Sequence, residues 1–147
     1  MILKSISNLF GIGYLRGGGT IASIFTYLLM QYNHLGLCSN ILLFIAIYII
    51  SHKIISSILK TEKSKDPSYI VLDELIGYYT GYILIFLFKM NSYHYIFFIY
   101  LILFRFFDIF KPLGIKNIEN IKGASGVILD DVLAAIYAFI IIFIFYT

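Results

Sequence analysis

Long apolar runs alternate with short polar segments along this chain. Between Gly17 and His52 no aspartate, glutamate, lysine or arginine occurs, and this run is divided by a turn-forming segment at 33–36. A membrane helix needs about 20 apolar residues, so the run is too long for one helix. It predicts two helices, at about 20–33 and 39–58.

Three more apolar segments follow a charged connection at 53–70. They predict helices at about 71–88, 93–111 and 132–146, and the last is approached by a polar, glycine-containing loop. The predicted fold class is therefore all-α, a single helical bundle of about five apolar helices. At 147 residues the whole chain, 1–147, is expected to be one domain.

The composition favours a membrane-embedded bundle. Hydrophobic residues make up 61% of the chain and charged residues 13%, with a mean hydropathy of +0.92; soluble domains carry about 25% charged residues. Several apolar runs are shorter than a bilayer requires, so buried helices of a membrane-associated bundle remain an alternative.

The distribution of charge favours membrane crossing. If the five helices alternate in direction, all 8 acidic residues and every one of the 11 basic residues except Lys89 lie on one side. The positive-inside rule makes that side cytoplasmic. We therefore expect a multi-pass protein of the inner (cytoplasmic) membrane whose acidic motifs lie at the cytoplasmic helix ends.

Several functional classes are disfavoured. The net charge of +3 and the lack of a basic arm make nucleic acid a poor partner. Cys38 is the only cysteine, so neither an intramolecular disulfide nor a cysteine metal site is expected. The histidines are scattered and indicate no nucleophilic triad, and residues 1–10 do not resemble a cleavable signal peptide.

Two acidic pairs head seams of small residues. Asp73, Gly77 and Gly81 are spaced i, i+4, i+8 on the third predicted helix, and Asp130 begins the same spacing with Ala134 and Ala138. Small residues allow close helix packing, so these two helices are expected to touch with their acids together. Helix capping alone explains one carboxylate, whereas crowded carboxylates need a cation or a proton.

A third charged group occurs in the most apolar neighbourhood. Arg105, Asp108 and Lys111 share one helical stripe, and Pro112 ends the helix. On a surface helix Arg105 and Asp108 would form a simple ion pair. Ionisable residues in so apolar a run are by default functional candidates.

These groups predict a magnesium and phosphate site. Carboxylates without nearby histidine or cysteine favour Mg²⁺ over Zn²⁺. Arg105 and Lys111 would face phosphate oxygens. The predicted metal ligands are Asp73, Glu74, Asp108, Asp130 and Asp131.

The glycine-rich segment at 11–20 is predicted to be a loop. Its end, Gly17 to Thr20, offers backbone N–H groups and a hydroxyl that can hold an anion, although a glycine turn capped by Thr20 has the same pattern. The segment 123–126 resembles it as a flexible approach to the last helix.

These motifs resemble the phosphatidylglycerophosphatase A family over nearly the whole chain. The resemblance rests on Gly19-Thr20 with Ser23 and on three longer blocks, at 70–77, 104–112 and 123–131. The first block departs from the family pattern, since Gly18 stands where a proline is usual. The resemblance implies Mg²⁺-dependent hydrolysis of phosphatidylglycerophosphate to phosphatidylglycerol and phosphate, with the phospholipid substrate held in the bilayer.

The resemblance also implies residue roles. Water would attack the phosphomonoester, with Asp108, Arg105, Asp130 and Asp131 as catalytic residues and Arg105, Lys111 and Thr20 binding substrate. An aspartyl-phosphate intermediate is the open alternative to direct attack by water. The oligomeric state stays open. Two other functions are alternatives: a phospholipid phosphotransferase, whose aspartate spacing is absent here, and an ion-coupled transporter subunit, whose acids would lie near the bilayer midplane.

Overall fold

The structure, a computed structural model, is helical throughout its described part. No strand occurs among the described residues, which confirms the all-α class. Those residues are 2–62, 67–90, 94–112, 114–118 and 121–146. They form seven α-helices: α1 Ile2–Ser7, α2 Gly18–Gln31, α3 Leu37–Leu59, α4 Leu72–Leu87, α5 His94–Phe110, α6 Ile115–Ile118 and α7 Ala124–Tyr146.

The five long helices correspond to the five predicted ones, and α2 to α5 begin and end within about two residues of the predicted bounds. Parts of the predicted connections, at 63–66 and 91–93, and Glu119 lie outside the described residues. The short helices α1 and α6 were not predicted, because four to six residues carry too little periodicity to be recognised.

The start of the last helix was predicted wrongly. The helix α7 begins at Ala124, eight residues before the predicted 132, so the segment 123–126 is not a flexible approach. Gly123, directly before the helix, has a φ of +88°. Gly126 lies inside the helix, where an added Cβ would collide with the carbonyl oxygen of Ile121. Close chain approach, and not flexibility, explains this glycine.

The glycine-rich segment is also more ordered than a loop. A 3-10 helix covers Leu9–Tyr14, with a kink at Phe10 and Gly11, and the side chain of Asn8 accepts a hydrogen bond from the N–H of Gly11. The helix α2 then begins at Gly18, after Gly17 in a left-handed conformation. Gly11 at the kink and Gly17 at the N-cap of α2 adopt positive φ angles that glycine tolerates. The number of glycines alone predicts a loop, and the structure shows helical segments joined by these two positions.

Helix α4 lies at the centre and packs against α2, α3, α5 and α7. Gly77 and Gly81 bring it close to α5, because their missing Cβ atoms leave room for the rings of Phe104 and Tyr100. The hydroxyl of Tyr100 donates a hydrogen bond to the carbonyl of Gly77 at 3.2 Å. The small-residue seam predicted on this helix is therefore its packing face.

Among the described residues, two helices are long and apolar enough to cross a membrane. They are α3, with a mean hydropathy of 2.1, and α7, with 2.5. About half of the α7 span is buried within the protein, whereas α3 is mostly exposed and carries large aliphatic side chains on its surface. By length and composition these helices point to a membrane protein.

The long helices place the charged groups at one end. The N-terminal turns of α4 and α7 meet the C-terminal end of α5 there, and at the other end Phe88 packs against Phe143. Acidic residues of α4, α5 and α7 are therefore close enough to interact there.

Candidate metal and phosphate site

Two neighbouring carboxylates begin α4. Asp73 and Glu74 lie in its first turn, and the N-cap residue Val71 makes no side-chain hydrogen bond to it. Negative charge is favoured at a helix N-terminus because the backbone N–H groups there are unpaired. This local preference explains why both acids are tolerated at the start of an apolar helix, although Asp73 is buried.

Asp131 reaches the same place from α7. Its side chain is buried, and its Cβ lies where a side chain at Gly77 of α4 would have to be. Ala134 and Ala138, one and two turns further on, are fully buried in the core of the bundle. The close approach of α7 at Gly77 therefore brings the acids of the two helices together, although the acid at the contact is Asp131 and not the predicted Asp130, and Gly81 packs against Tyr100 of α5.

Three carboxylates converge at this contact. Asp73, Glu74 and Asp131 each offer an oxygen, and these oxygens lie within 4.8 Å of one another. Oε2 of Glu74 and Oδ1 of Asp131 are buried and have no hydrogen-bond partner in the described part of the chain. Like charges at this separation repel, so the cluster favours a cation or a proton between them.

The cluster fits a hard divalent cation. Its donors are all carboxylate oxygens, the ligands that Mg²⁺ prefers, and two of them are buried acceptors without a donor. We call Asp73, Glu74 and Asp131 the carboxylate cluster. Of the five predicted metal ligands the structure brings these three together, and Asp108 and Asp130 lie outside the cluster.

Arg105 and Asp108 stand beside the cluster at the end of α5. Nη1 of Arg105 lies 2.5 Å from Oδ2 of Asp108, so the expected intrahelical ion pair is present. Nη1 also donates a 3.4 Å hydrogen bond to Oγ of Ser23 on α2, and Nε is buried without an acceptor among the described residues. Asp108 acts electrostatically on Asp131. A guanidinium and a further carboxylate therefore face the cluster.

Lys111 and Asp130 form a second ion pair. Nζ of Lys111 lies 2.6 Å from Oδ2 of Asp130, and Oδ1 of Asp130 accepts the backbone N–H of Asp131. Lys111 follows the last residue of α5 with a φ of +45°, a conformation that costs a non-glycine residue roughly 1–2 kcal/mol. The pair thus connects the end of α5 to α7, and metal binding by Asp130 stays a prediction.

A cavity of about 610 Å³ adjoins the cluster. Glu74 and Arg105 contribute to its wall, and Thr20, the predicted substrate-binding residue, lines it as well. Its remaining walls come from the glycine-rich segment, residues 13–19, and from Ser68 and Tyr69. The glycine-rich segment of the predicted anion site and one predicted metal ligand, Glu74, therefore line the same cavity.

Gly19 joins the glycine-rich segment to the carboxylate cluster. A Cβ at this position would collide with Oε1 of Glu74 and lie 3.2 Å from Nη2 of Arg105. Sequence reasoning missed this contact and the Arg105 to Ser23 hydrogen bond, since both join residues far apart in the chain. The only signal was the occurrence of Gly19 and Ser23 in one motif block.

The fold and site define a strongly apolar, all-helical protein with an acidic, phosphate-compatible centre. The family model for phosphatidylglycerophosphatase A matches residues 5–146. The chain belongs to the phosphatidylglycerophosphatase A family.

Two curated relatives match parts of the chain. A Bacteroides thetaiotaomicron protein with the provisional name phosphatidylinositol-3-phosphatase is 44% identical over 79 residues, which is 53% of this chain and 48% of the relative. Phosphatidylglycerophosphatase A of Haemophilus influenzae is 55% identical over 42 residues, 28% of this chain and 26% of the relative. The matches thus span about half and a quarter of those relatives. No solved structure matches.

Proposed function

We propose that this protein is a Mg²⁺-dependent membrane phosphatase that hydrolyses the terminal phosphate of phosphatidylglycerophosphate to give phosphatidylglycerol and phosphate. The observation that carries the proposal is the convergence of Asp73, Glu74 and Asp131 beside Arg105. Family membership and the Haemophilus relative support the substrate. The all-oxygen cluster supports the metal.

Each polar group then has a chemical role. The carboxylate cluster holds Mg²⁺, which when bound supplies positive charge that stabilises the phosphoryl oxygens. Arg105 adds charge-assisted hydrogen bonds to the same oxygens. Asp108 is oriented by Arg105 and accepts the proton of the attacking water. The bond from phosphorus to the lipid glycerol oxygen breaks as the bond from water to phosphorus forms, and the departing oxygen takes up a proton, so that phosphatidylglycerol and phosphate are the products.

The ion pair of Lys111 with Asp130 acts differently in this scheme. Asp130 holds the ammonium of Lys111 and, through the N–H of Asp131, the first turns of α7. It therefore positions Asp131 within the cluster. Lys111 can reach a phosphate only by sharing its donors with Asp130, since an ammonium has three of them.

The membrane supplies the substrate. We place the exposed apolar face of α3 in lipid and the site end of the bundle at the cytoplasmic surface, following the positive-inside bias. Phe106, Ile109 and Phe110 are exposed at the end of α5, close to Arg105 in sequence. These side chains can enter the interface and keep the acyl chains in the bilayer while the headgroup meets the carboxylates.

The test measures phosphate release from defined lipids by the purified full chain in mixed micelles. We expect release from phosphatidylglycerophosphate with Mg²⁺ and none with excess EDTA. Phosphatidylinositol 3-phosphate, prompted by the Bacteroides relative, is the comparison substrate. Preferential hydrolysis of that lipid would reject the proposed substrate, and activity that survives EDTA would reject the metal.

A further inference from the structure

Two arginines from different elements line the same cavity. Arg105 lies at the carboxylate cluster with Glu74, and Arg16 lies in the turn between the 3-10 helix and α2. A volume of about 610 Å³ falls within the roughly 300–1,000 Å³ of small-molecule sites. The cavity is thus large enough for more than the phosphate that reacts.

The two guanidinium groups differ in their surroundings. Arg105 is mostly buried and is fixed by Asp108 and Ser23. Arg16 is exposed and makes no hydrogen bond or ion pair with any residue in the described ranges. Its donors are therefore available to a ligand in the cavity, whereas Nη1 of Arg105 is already shared between Asp108 and Ser23.

The backbone carrying Arg16 is packed closely against the rest of the site. An added Cβ at Gly13 would collide with the carbonyl oxygen of Tyr69, and one at Gly18 would lie 2.8 Å from that of Ile12. Gly17 adopts a φ of +79° directly after Arg16. Since Gly19 touches Glu74, the segment fixes the position of the Arg16 backbone relative to the carboxylate cluster.

We propose that Arg16 binds the phosphodiester of the lipid headgroup while Arg105 faces the terminal phosphomonoester, so that Arg16 selects lipids carrying two phosphates. The proposal rests on the proposed phosphatase function. Phosphatidylglycerophosphate has both groups, separated by one glycerol unit, and phosphatidic acid has only the phosphomonoester. Guanidinium groups pair well with phosphate oxygens of either kind.

This assignment predicts a characteristic kinetic effect. The phosphodiester does not react, so Arg16 would bind it equally in the ground state and the transition state. Loss of such binding raises KM and leaves kcat unchanged. Arg105 faces the reacting group, and its replacement is expected to lower kcat with every phosphomonoester lipid.

The experiment compares Arg16→Gln with the parent on both lipids in mixed micelles with Mg²⁺. We expect KM for phosphatidylglycerophosphate to rise about tenfold, the low end for a charge-assisted hydrogen bond, and KM for phosphatidic acid to stay within about twofold. Arg16→Lys should recover part of the loss. Lys60→Gln is the control, since Lys60 is exposed at the end of α3 and does not line the cavity.

A binding measurement keeps this test independent of turnover. In EDTA, Arg16→Gln should weaken binding of phosphatidylglycerophosphate more than binding of phosphatidic acid. An equal loss with both lipids, or no loss, overturns the role of Arg16 as a selector. If Lys60→Gln also weakens binding of both lipids to the same extent, the loss reflects general attraction to anionic lipid, and the selector role is rejected. If the parent releases no phosphate at all, the proposed function fails, and the binding comparison still decides the role of Arg16.

Discussion

Two groups of buried polar residues lie in different parts of the bundle and are satisfied to different degrees. Near the start of α3, Asn40 is fully buried, and its side-chain N–H groups donate to the carbonyls of Leu35 and Gly36. Its Oδ1 accepts hydrogen bonds from Asn33 at 2.6 Å and from the Tyr79 hydroxyl at 2.9 Å. In the carboxylate cluster, Oε2 of Glu74 and Oδ1 of Asp131 have no donor among the described residues.

The difference separates stability from function. A buried amide whose bonds are all made adds to the free energy of unfolding, since breaking the network leaves several groups unsatisfied. Buried carboxylates that repel one another subtract from it. Buried polar atoms are normally paired, and the two carboxylate oxygens without a donor in the described part of the chain fit the cation that we propose for the cluster.

The largest expected effect comes from Asp131→Asn, which keeps the size of the side chain and removes one charge from the cluster. We expect phosphate release to fall by about 10³-fold, because several kcal/mol of metal-dependent stabilisation would be lost. The unfolding temperature in EDTA should stay the same or rise, since one repulsive interaction is gone. Both are measured on the same detergent-solubilised preparation.

Magnesium supplies the control for this variant. A ligand that binds only the folded state raises its stability, so Mg²⁺ should raise the unfolding temperature of the parent and not that of Asp131→Asn. An Asp131→Asn protein that still hydrolyses lipid at the parental rate, or is still stabilised by Mg²⁺, would show that the cluster is not the metal site.

The next effect is expected from Gly19→Ala, which tests the contact between the glycine-rich segment and the cluster. The new methyl group would collide with Glu74 and crowd Arg105, so activity should fall by about 10²-fold, the effect of misplacing catalytic groups by about 1 Å. Gly36→Ala is the matched control, since a Cβ there meets no atom within 4 Å and the φ of −67° suits alanine. Equal activity in the two variants would exclude the cavity wall from the site.

Asn40→Leu should lower stability and leave activity unchanged, the opposite of what is expected for Asp131→Asn. It leaves the Asn33 amide and the carbonyl of Leu35 without their partner, which is expected to lower the free energy of unfolding by about 2 kcal/mol. Activity per folded molecule should be unchanged, because Asn40 neither lines the cavity nor belongs to the carboxylate cluster. Denaturant unfolding in detergent measures the first and phosphate release the second. A loss of activity without a loss of stability would contradict the division drawn here.

Sequence patterns could predict the long helices and the meeting of their acids, because the spacings of Asp73 with Gly77 and of Ala134 with Ala138 are local. They could not decide which aspartate of the last pair enters the cluster. Adjacent helical residues point about 100° apart, so the choice between Asp130 and Asp131 depends on how α7 packs against α4. The left-handed conformation of Lys111 then gives Asp130 a different partner.

The cavity was beyond sequence reasoning for a related reason. Gly19 touches Glu74, and Ser23 accepts a hydrogen bond from Arg105, 82 positions later in the chain. No periodicity connects such positions. The number of glycines at 11–20 indicates that the backbone bends there. Only the packed structure shows that this segment lies against Glu74 and Arg105.

The smallest effect concerns an ion pair outside both regions, between Lys4 of α1 and Glu62 beyond α3. The hydrogen bond from Lys4, together with one from the Tyr69 hydroxyl, lowers the pKa of Glu62 below its ordinary value of 4.5. A carboxyl group whose pKa is lower in the folded than in the unfolded state stabilises the fold at a pH above its unfolded-state pKa. That stabilisation is lost as the pH falls through its folded-state pKa. Lys4→Gln should therefore flatten the fall in unfolding temperature below about pH 4.5. Lys4 is exposed and Glu62 is partly exposed, so added salt should mask the difference. Activity at neutral pH should match the parent. A Lys4→Gln protein with impaired phosphate release would place this pair in the site after all.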